Sequence, residues 1–429
     1  MPTRNRGYLL EQSIQTVLGQ SFTDYELIVS DNNSHDNTRQ IVGNLSTRSR
    51  NIRYINTGRD LSMCANFEYA FEHAIGDYII YISDDDALVN DALAYIHAVL
   101  TTSTSLERNP INVLVWQRGG YGHPDLSLAG HRTRLFLAYR LRTGRLYEVK
   151  SNLLLDVLCD FDNQHPNYHF IVPKVINCAL SREAMQKCRE YTGHFFVPPY
   201  PDYTTVCQML SAHSVYHVID MPLYICGTSV AANSGLFYKR MDKVKDYFSL
   251  FEPGEVTFDG VPYPMEYLTA TYLIMTYLKF QKLYPETFNS PINLDKYLAA
   301  LATELSGFEQ IGDDVIEEKK KLAGYMKQHY GSDHVFNHHS REAELGRIKA
   351  TVIFHLRQIA SSGELFRALA AQLMRMLHFG APDARQYNNV SSIVEAAQII
   401  SRDLGLAEKQ VTDHYPILIS TPEQLHLLA

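Results

Sequence analysis

No stretch of the chain reaches the roughly 18 consecutive apolar residues that a membrane-spanning helix needs. The nearest, Tyr267 to Phe280, is shorter and contains Thr and Lys. Nor does Met1-Pro2-Thr3-Arg4-Asn5-Arg6 lead into the apolar core of a signal peptide. Both absences set the expectation of a soluble, cytoplasmic protein, at most peripheral on the inner face of a membrane. Cysteine is sparse, six in 429 residues, and no two form a Cys-x-x-Cys pair. Cys64, Cys159, Cys178, Cys188, Cys207 and Cys226 are spread as buried thiols would be, not as a disulfide framework or a clustered metal site. Positive charge is also short. Thirty-nine Lys and Arg face 47 Asp and Glu, a net charge of −8, which argues against a nucleic-acid partner. Internal repeats and low-complexity linkers are absent. What is present is a chain 45% hydrophobic and long enough for two or three domains with substantial cores.

The most informative stretch is Gly76-Asp77-Tyr78-Ile79-Ile80-Tyr81-Ile82-Ser83-Asp84-Asp85-Asp86-Ala87-Leu88. Its apolar run, Tyr78 to Ile82, suits a strand buried on both faces. The run stops at three carboxylates, at the strand end where open α/β sheets bind ligands. Adjacent acids repel one another. A divalent cation held by oxygen ligands relieves that repulsion. The same residues also suit a solvated acidic turn capping a helix that begins near Asn90.

Around this stretch, helix and strand signals alternate. Leu10, Ile14, Val17 and Leu18 share a helical face. Strands are expected at 26–30 and 51–56, and a polar turn at 31–38 leads into a helix with Ile41 and Val42. Met63, Phe67, Ala70, Phe71 and Ala74 predict a third helix, Asp91 to Leu100 a fourth, and Ile111 to Trp116 a strand. This alternation predicts βαβ units and a mainly parallel sheet. Only Met1 precedes Pro2-Thr3-Arg4-Asn5, a loop expected to follow a strand, so either a first strand is lacking or the true start lies upstream. Gly119 to Val149 has no clean period, and its Gly119-Gly120-Tyr121-Gly122 stretch predicts a flexible loop. A short helix is expected at 152–158, a strand at 175–180, and a helix at 181–191 capped by Ser181. Helix 204–212 and extended pieces at 215–219 and 221–225 follow. Past residue 237 strand signals fade and helices are expected at 267–283, 294–305, 315–330, 341–361, 364–377 and 390–404.

Four blocks of the first hundred residues, in order and at matching spacing, resemble family 2 glycosyltransferases of the GT-A fold. They are Pro2-Thr3-Arg4-Asn5-Arg6, the helix Ser13 to Gln20, Ile28-Val29-Ser30-Asp31-Asn32-Asn33-Ser34 with Asp36 and Thr38, and Gly76-Asp77-Tyr78 running into Asp84-Asp85-Asp86. The resemblance is looser to about residue 230 and absent beyond. It implies a GT-A-like α/β domain over 1–235, with a nucleotide-binding half (1–100) and an acceptor half (101–235). A mostly α-helical C-terminal region, 236–429, follows.

The resemblance also implies an enzyme that moves a sugar from a nucleotide-sugar donor, a UDP-sugar favoured, to a hydroxyl of a glycan or lipid-linked glycan, with Mn²⁺ or Mg²⁺ as cofactor. Thr3, Asn5 and Asp31 match positions around the nucleotide base, and Arg6 and Asn66 fall at the donor site. Asp84 and Asp85 match positions facing the ribose or sharing the metal, and Asp86 matches the metal ligand. The register within the triplet is open by one residue. Where many relatives carry an Arg that meets the phosphates, this chain has Ala65. The phosphate charge then falls to the metal or to another cation such as Arg4 or Arg6.

Such a transfer needs a neutralised leaving diphosphate, a base for the acceptor hydroxyl, and exclusion of water. One base and direct displacement invert the anomeric centre. Asp202 is the candidate base. It follows the aromatic, Pro-rich segment Phe195 to Pro201, and the family's Glu-Asp pair is Pro201-Asp202 here. Asp202 also suits a simple cap for the helix after it. Asp160, Asp162, His165, His169 and His194 are the alternative bases or ligands. His213 and His217 have i,i+4 spacing without a Glu between them. The segment Arg341 to Leu377, basic with helical apolar spacing, suits either an anionic membrane surface or an ordinary bundle helix. Two rival functions stay open. A nucleotidyltransferase on a similar sheet would survive loss of Asp202, and a non-catalytic nucleotide- or glycan-binding module would show no turnover.

Overall fold

A computed structural model describes residues 1–105, 110–125, 134–137, 143–161, 172–231, 251, 254–266, 268–310, 313–330, 385–388, 390–406, 416–421 and 424. The first unit is a parallel sheet of three strands in the order β1 (Pro2–Thr3), β2 (Leu27–Asp31), β3 (Ile52–Asn56). Pro2 and Thr3, expected as a loop, are thus strand residues that pair with Ser30 and Asp31. Every residue of β2 is buried, because helices cover both faces of the sheet. Leu10, Ile14 and Val17 of α1 (Gly7–Leu18) and Val42 and Leu45 of α2 (Thr38–Ser46) close one core with Leu27 and Val29. Burial of each such side chain contributes roughly 1.5–3 kcal/mol. On the other side, α3 (Met63–His73) begins at Ser62, whose hydroxyl accepts from Ala65 N at 3.3 Å. Gly7 is required where α1 meets the turn before α2, since a Cβ there would lie 2.6 Å from Asn37 Oδ1.

The chain then enters a larger, mixed sheet through β4 (Tyr78–Ile80) and β5 (Ala87–Leu88), on either side of the acid triplet. After α4 (Ala92–Ser105), β6 (Val113–Gly122) runs through the glycine-rich stretch expected to be a loop. The reason is Tyr121, 1% exposed, which anchors the strand in the core while its hydroxyl donates to Val390 O. β7 (Arg134–Leu137) and β8 (Leu146–Lys150) follow, then α5 (Ser151–Cys159). The strand expected over 175–180 divides into a 3-10 turn at Val175–Asn177 and β9 (Cys178–Ser181). Ser181 caps α6 (Arg182–Arg189) as expected, accepting from Ala184 N at 3.0 Å. After α7 (Pro201–Ala212), the two extended pieces expected at 215–225 form one strand, β10 (Val215–Thr228). Its register slips on either side of Pro222, a residue that cannot donate to a ladder.

β10 is the spine of this sheet. It runs parallel to β6 and antiparallel to β8, and it pairs antiparallel with β5 through Tyr224↔Leu88 and Ile225↔Ala87. That last pairing lays β10 directly against the acid triplet.

The later helices are part of the same packing. Ile274, Tyr277 and Phe280 of α8 (Thr269–Leu283), Leu301 and Leu305 of α9 (Leu294–Gln310) and Leu322 of α10 (Ile316–Tyr330) share one core with Leu154, Val206 and Met209. α11 (Ile393–Leu404), capped by Ser392, joins the other core with Ile14 and Met221. The helical C-terminal region also gives two strands that no local pattern announced. β11 (Arg385–Asn388) adds to β7, and β12 (Ile417–Ile419) adds to β8. Both are short and are held by a sheet edge that already exists. The helices expected at 341–361 and 364–377 lie outside the described residues, and so does the segment weighed as a membrane surface. Among the described residues, no helix is long and apolar enough to cross a membrane.

Candidate active site

A cavity of about 540 Å³ opens where the two sheets meet. Its walls include Thr3, Arg4, Asn5, Arg6, Asn32, Asn66, Asp84, Asp85, Asp86 and Asp202. Residues far apart in sequence therefore converge as expected, with one exception. Asp31 is 1% exposed and is not part of the lining. Its carboxylate accepts from Ser34 N at 2.9 Å and from the Tyr54 hydroxyl at 2.5 Å, so it fixes the turn that presents Asn32.

At the β1 end the loop is held tightly. Asn5 adopts a left-handed conformation, φ 53°, its backbone N–H donating to Ser34 Oγ and its side-chain Oδ1 accepting from His35 N at 2.7 Å. Asn66 accepts from the Ser30 hydroxyl at 2.7 Å. Arg4 pairs with Asp60.

The three acids differ in their surroundings. Asp84 is clamped by Thr3 Oγ1 at 2.7 Å and by Arg6 Nη1 at 2.8 Å. Burial pushes its carboxyl up, and the Arg6 charge only partly offsets this. Burial works to lower the Arg6 pKa, but the Asp84, Asp85 and Asp86 charges outweigh it and hold the guanidinium above its usual value. Asp86 has both oxygens engaged, Oδ2 by the Tyr224 hydroxyl at 2.6 Å and Oδ1 by Gly227 N at 2.7 Å. Burial and the neighbouring Asp85 charge raise it well above the carboxylate range despite those bonds. Asp85 accepts from Ser83 Oγ at 2.6 Å through Oδ1. Among the described residues nothing donates to its Oδ2.

The backbone of the triplet is gripped too. Ser13 Oγ donates to the Asp84 carbonyl at 2.9 Å, and His123 Nε2 lies 2.8 Å from the Asp85 carbonyl. Gly227 passes so close that a Cβ would sit 1.8 Å from that carbonyl oxygen.

The residues fit a divalent cation of the kind that takes oxygen ligands. Asp85 offers an oxygen without a donor among the described residues, and the Asp84 and Asp86 carboxyls stand beside it. No group of three or more His, Cys, Asp or Glu able to hold a metal occurs among the described residues. A Mg²⁺ or Mn²⁺ here would complete its shell with phosphate oxygens and water, as Mg²⁺ commonly does.

At the opposite wall, α7 begins at Pro201 with Tyr200 as its N-cap residue, so Asp202 lies inside the first turn and makes no side-chain cap. It has no hydrogen-bond or ion-pair partner among the described residues. Phe195 and Phe196 are core residues, 0% and 2% exposed. Phe196 packs edge-on against Phe67 and Tyr81, with centroids 5.2 and 4.8 Å away. The Glu68 carboxylate of α3 accepts from both Phe195 N and Phe196 N at 2.9 Å.

The alternative acids and imidazoles stand elsewhere. Asp160 pairs with Lys296, His194 is exposed near Glu68, His213 lies 3.3 Å from Ala184 O, and His217 faces Glu148. Asp162, His165 and His169 lie outside the described residues. Sequence reasoning missed Ser13, Ser83, His123, Tyr224 and Gly227, which hold the triplet, and two cations of the lining, Arg118 and Lys174. Gly227 was legible only as part of a small-residue loop.

Residues 1–102 match the model of the Glycosyl transferase family 2. That stretch of the chain is thus similar to the family 2 glycosyltransferases. It is 37% identical over 95 residues to the GalNAc(5)-diNAcBac-PP-undecaprenol beta-1,3-glucosyltransferase of Campylobacter jejuni, covering 22% of this chain and 31% of that protein. Over 126 residues it is 32% identical to an uncharacterized glycosyltransferase of Haemophilus influenzae, covering 29% of this chain and 47% of that one. The match thus spans less than half the length of these curated relatives. Among solved structures, TarS 1–349 of S. aureus in complex with UDP-GlcNAc aligns over 94% of this chain and 90% of that one, at 15% identity and a TM-score of 0.39.

Proposed function

We propose that the protein is a metal-dependent, inverting glycosyltransferase that moves a sugar from a nucleotide-sugar donor, a UDP-sugar favoured, to a hydroxyl of a glycan or lipid-linked glycan. The observation that carries this reading is the convergence on one cavity of the acid triplet and Asp202, which has no partner among the described residues. Thr3, Asn5, Asn66 and Asn32 receive the nucleoside, with Asp31 fixing their turn. Arg6 holds Asp84 at the ribose end. Asp85, the acid with an oxygen to spare, faces the metal, while Asp86 is the inner acid that ties the triplet to β10. That is one residue from the assignment the resemblance implies. When bound, the cation neutralises the departing diphosphate as a Lewis acid.

The chain's own work lies at Asp202. The acceptor oxygen attacks the anomeric carbon, and the bond to the diphosphate oxygen breaks with its electron pair. The acceptor proton passes to the Asp202 carboxylate.

Thermal unfolding with UDP, GDP, dTDP and CDP, each with and without Mn²⁺, tests the donor half of this reading. One nucleotide is expected to stabilise wild type only with metal. No shift with any of them would overturn it.

A further inference from the structure

We propose that Arg118 and Lys174 form an oxyanion subsite beside Asp202 that recognises a phosphate group on the acceptor, an inference that rests on the glycosyltransferase reading above. Both cations line the cavity that holds the acid triplet and Asp202. Lys174 stands just before the 3-10 turn at Val175–Asn177, and its ammonium lies 4.6 Å from the centre of the Tyr203 ring. Tyr203 is the residue after Asp202 in the first turn of α7. That places the ammonium at the base's end of the cavity, seated on an aromatic face. Arg118 comes from β6 opposite Tyr224 in register, and its Nη1 reaches Cys226 Sγ at 3.7 Å. Cys226 marks where the two walls meet. Burial pushes its thiol up to about 12, and Arg118, Asp86, Lys174 and Asp202 all act on it electrostatically.

The lining holds two further cations. Arg4 pairs with Asp60 and Arg6 with Asp84, both at the β1 end. Among the described residues no carboxylate pairs with Lys174. A half-buried cation beside a base that must touch the acceptor hydroxyl suits an acceptor that brings its own negative charge. Phosphate is the group whose oxygens a guanidinium and an ammonium share well. The donor's leaving diphosphate is the other source of the same chemistry. The seat of Lys174 on the ring next to Asp202 favours the acceptor.

The test is a calorimetric titration of the full chain with glycerol 3-phosphate and, as the neutral control, glycerol, each with and without saturating UDP and Mn²⁺. Wild type, Lys174→Gln, Lys174→Arg and Arg118→Gln are compared, with circular dichroism confirming their folds. Wild type is expected to bind glycerol 3-phosphate and not glycerol. Lys174→Gln and Arg118→Gln each weaken it by about tenfold, Lys174→Arg retains it, and UDP affinity stays the same in all four. Glycerol 3-phosphate binding no tighter than glycerol would overturn the subsite. Weakened UDP affinity with unchanged glycerol 3-phosphate binding would overturn its assignment to the acceptor and give the cations to the donor. Failure of wild type to bind any nucleoside diphosphate would strike the glycosyltransferase reading instead, and the titrations without nucleotide would still decide the subsite.

Discussion

The two ends of the cavity are built on opposite principles. At the β1 end nearly every polar group is held by another: Thr3 and Arg6 on Asp84, Tyr224 and Gly227 on Asp86, Tyr54 and Ser34 on Asp31. At the α7 end Asp202 has no hydrogen-bond or ion-pair partner among the described residues, and Lys174 rests on a ring. A site that must present fixed oxygens and amides to a ligand gains from groups whose geometry is set in advance. A base must instead keep its lone pairs for the proton it takes, and a neighbour bound to it would have to be displaced first. The contrast is what the proposed division into a binding end and a reacting end requires.

The sharpest way to break that contrast is Asp202→Asn. Loss of a general base costs about 10²–10⁴-fold in rate, so turnover is expected to collapse while calorimetric UDP affinity is unchanged. A parallel loss of UDP binding would mean that the two ends are not separate in function. Next in size is Asp85→Asn. A ligand at about 100 times its dissociation constant stabilises by roughly 2.7 kcal/mol, and this variant is expected to lose the metal-dependent part of that stabilisation in thermal unfolding. Asp85→Asn with an unaltered metal response would return the metal to Asp86.

Tyr224→Phe tests how firmly the donor end is wired. It removes the donor to a buried oxygen of Asp86, a loss of about 1–3 kcal/mol that chemical denaturation reads directly. A variant as stable as wild type would show the wiring to be ornamental.

The smallest expected effect concerns the helices behind Asp202. Glu304 of α9, half-buried, accepts from Thr269 N at 2.6 Å and Ala270 N at 2.8 Å, so it caps the start of α8. Burial pushes its carboxyl up from 4.5 to about 7, against the pull of those two N–H groups. The folded state then binds a proton that the unfolded state has released. Between roughly pH 4.5 and 7 wild-type stability is therefore expected to fall as pH rises. Glu304→Gln removes that slope, so wild type should lose melting temperature relative to the variant as pH rises through this window. Parallel profiles would show that Glu304 does not titrate there.

Much of the first hundred residues was legible because their signals are local. Period-2 and period-3.6 patterns, a Gly-Asp entry to a strand and three consecutive acids all fall within short windows. The grip on the acids was not legible. Tyr224 and Gly227 reach Asp86 from a strand 138 and 141 positions later in the chain, and nothing near them in sequence announces an acid to bind. The glycine-rich stretch misled for a related reason, since its conformation is decided by a partner strand and one buried tyrosine. β11 and β12 escaped notice because an existing edge supplies what their own sequences do not.

Glu68 ties the two ends into one span. It sits on α3, the helix whose Asn66 and Phe67 line the cavity, and it holds the backbone of Phe195 and Phe196, seven and six residues before Asp202. Arg189 steadies its other oxygen at 3.4 Å. The carboxylate acts as a strut of fixed length: the spacing between α3 and the segment before Asp202 is gauged by a residue that lines neither wall of the cavity.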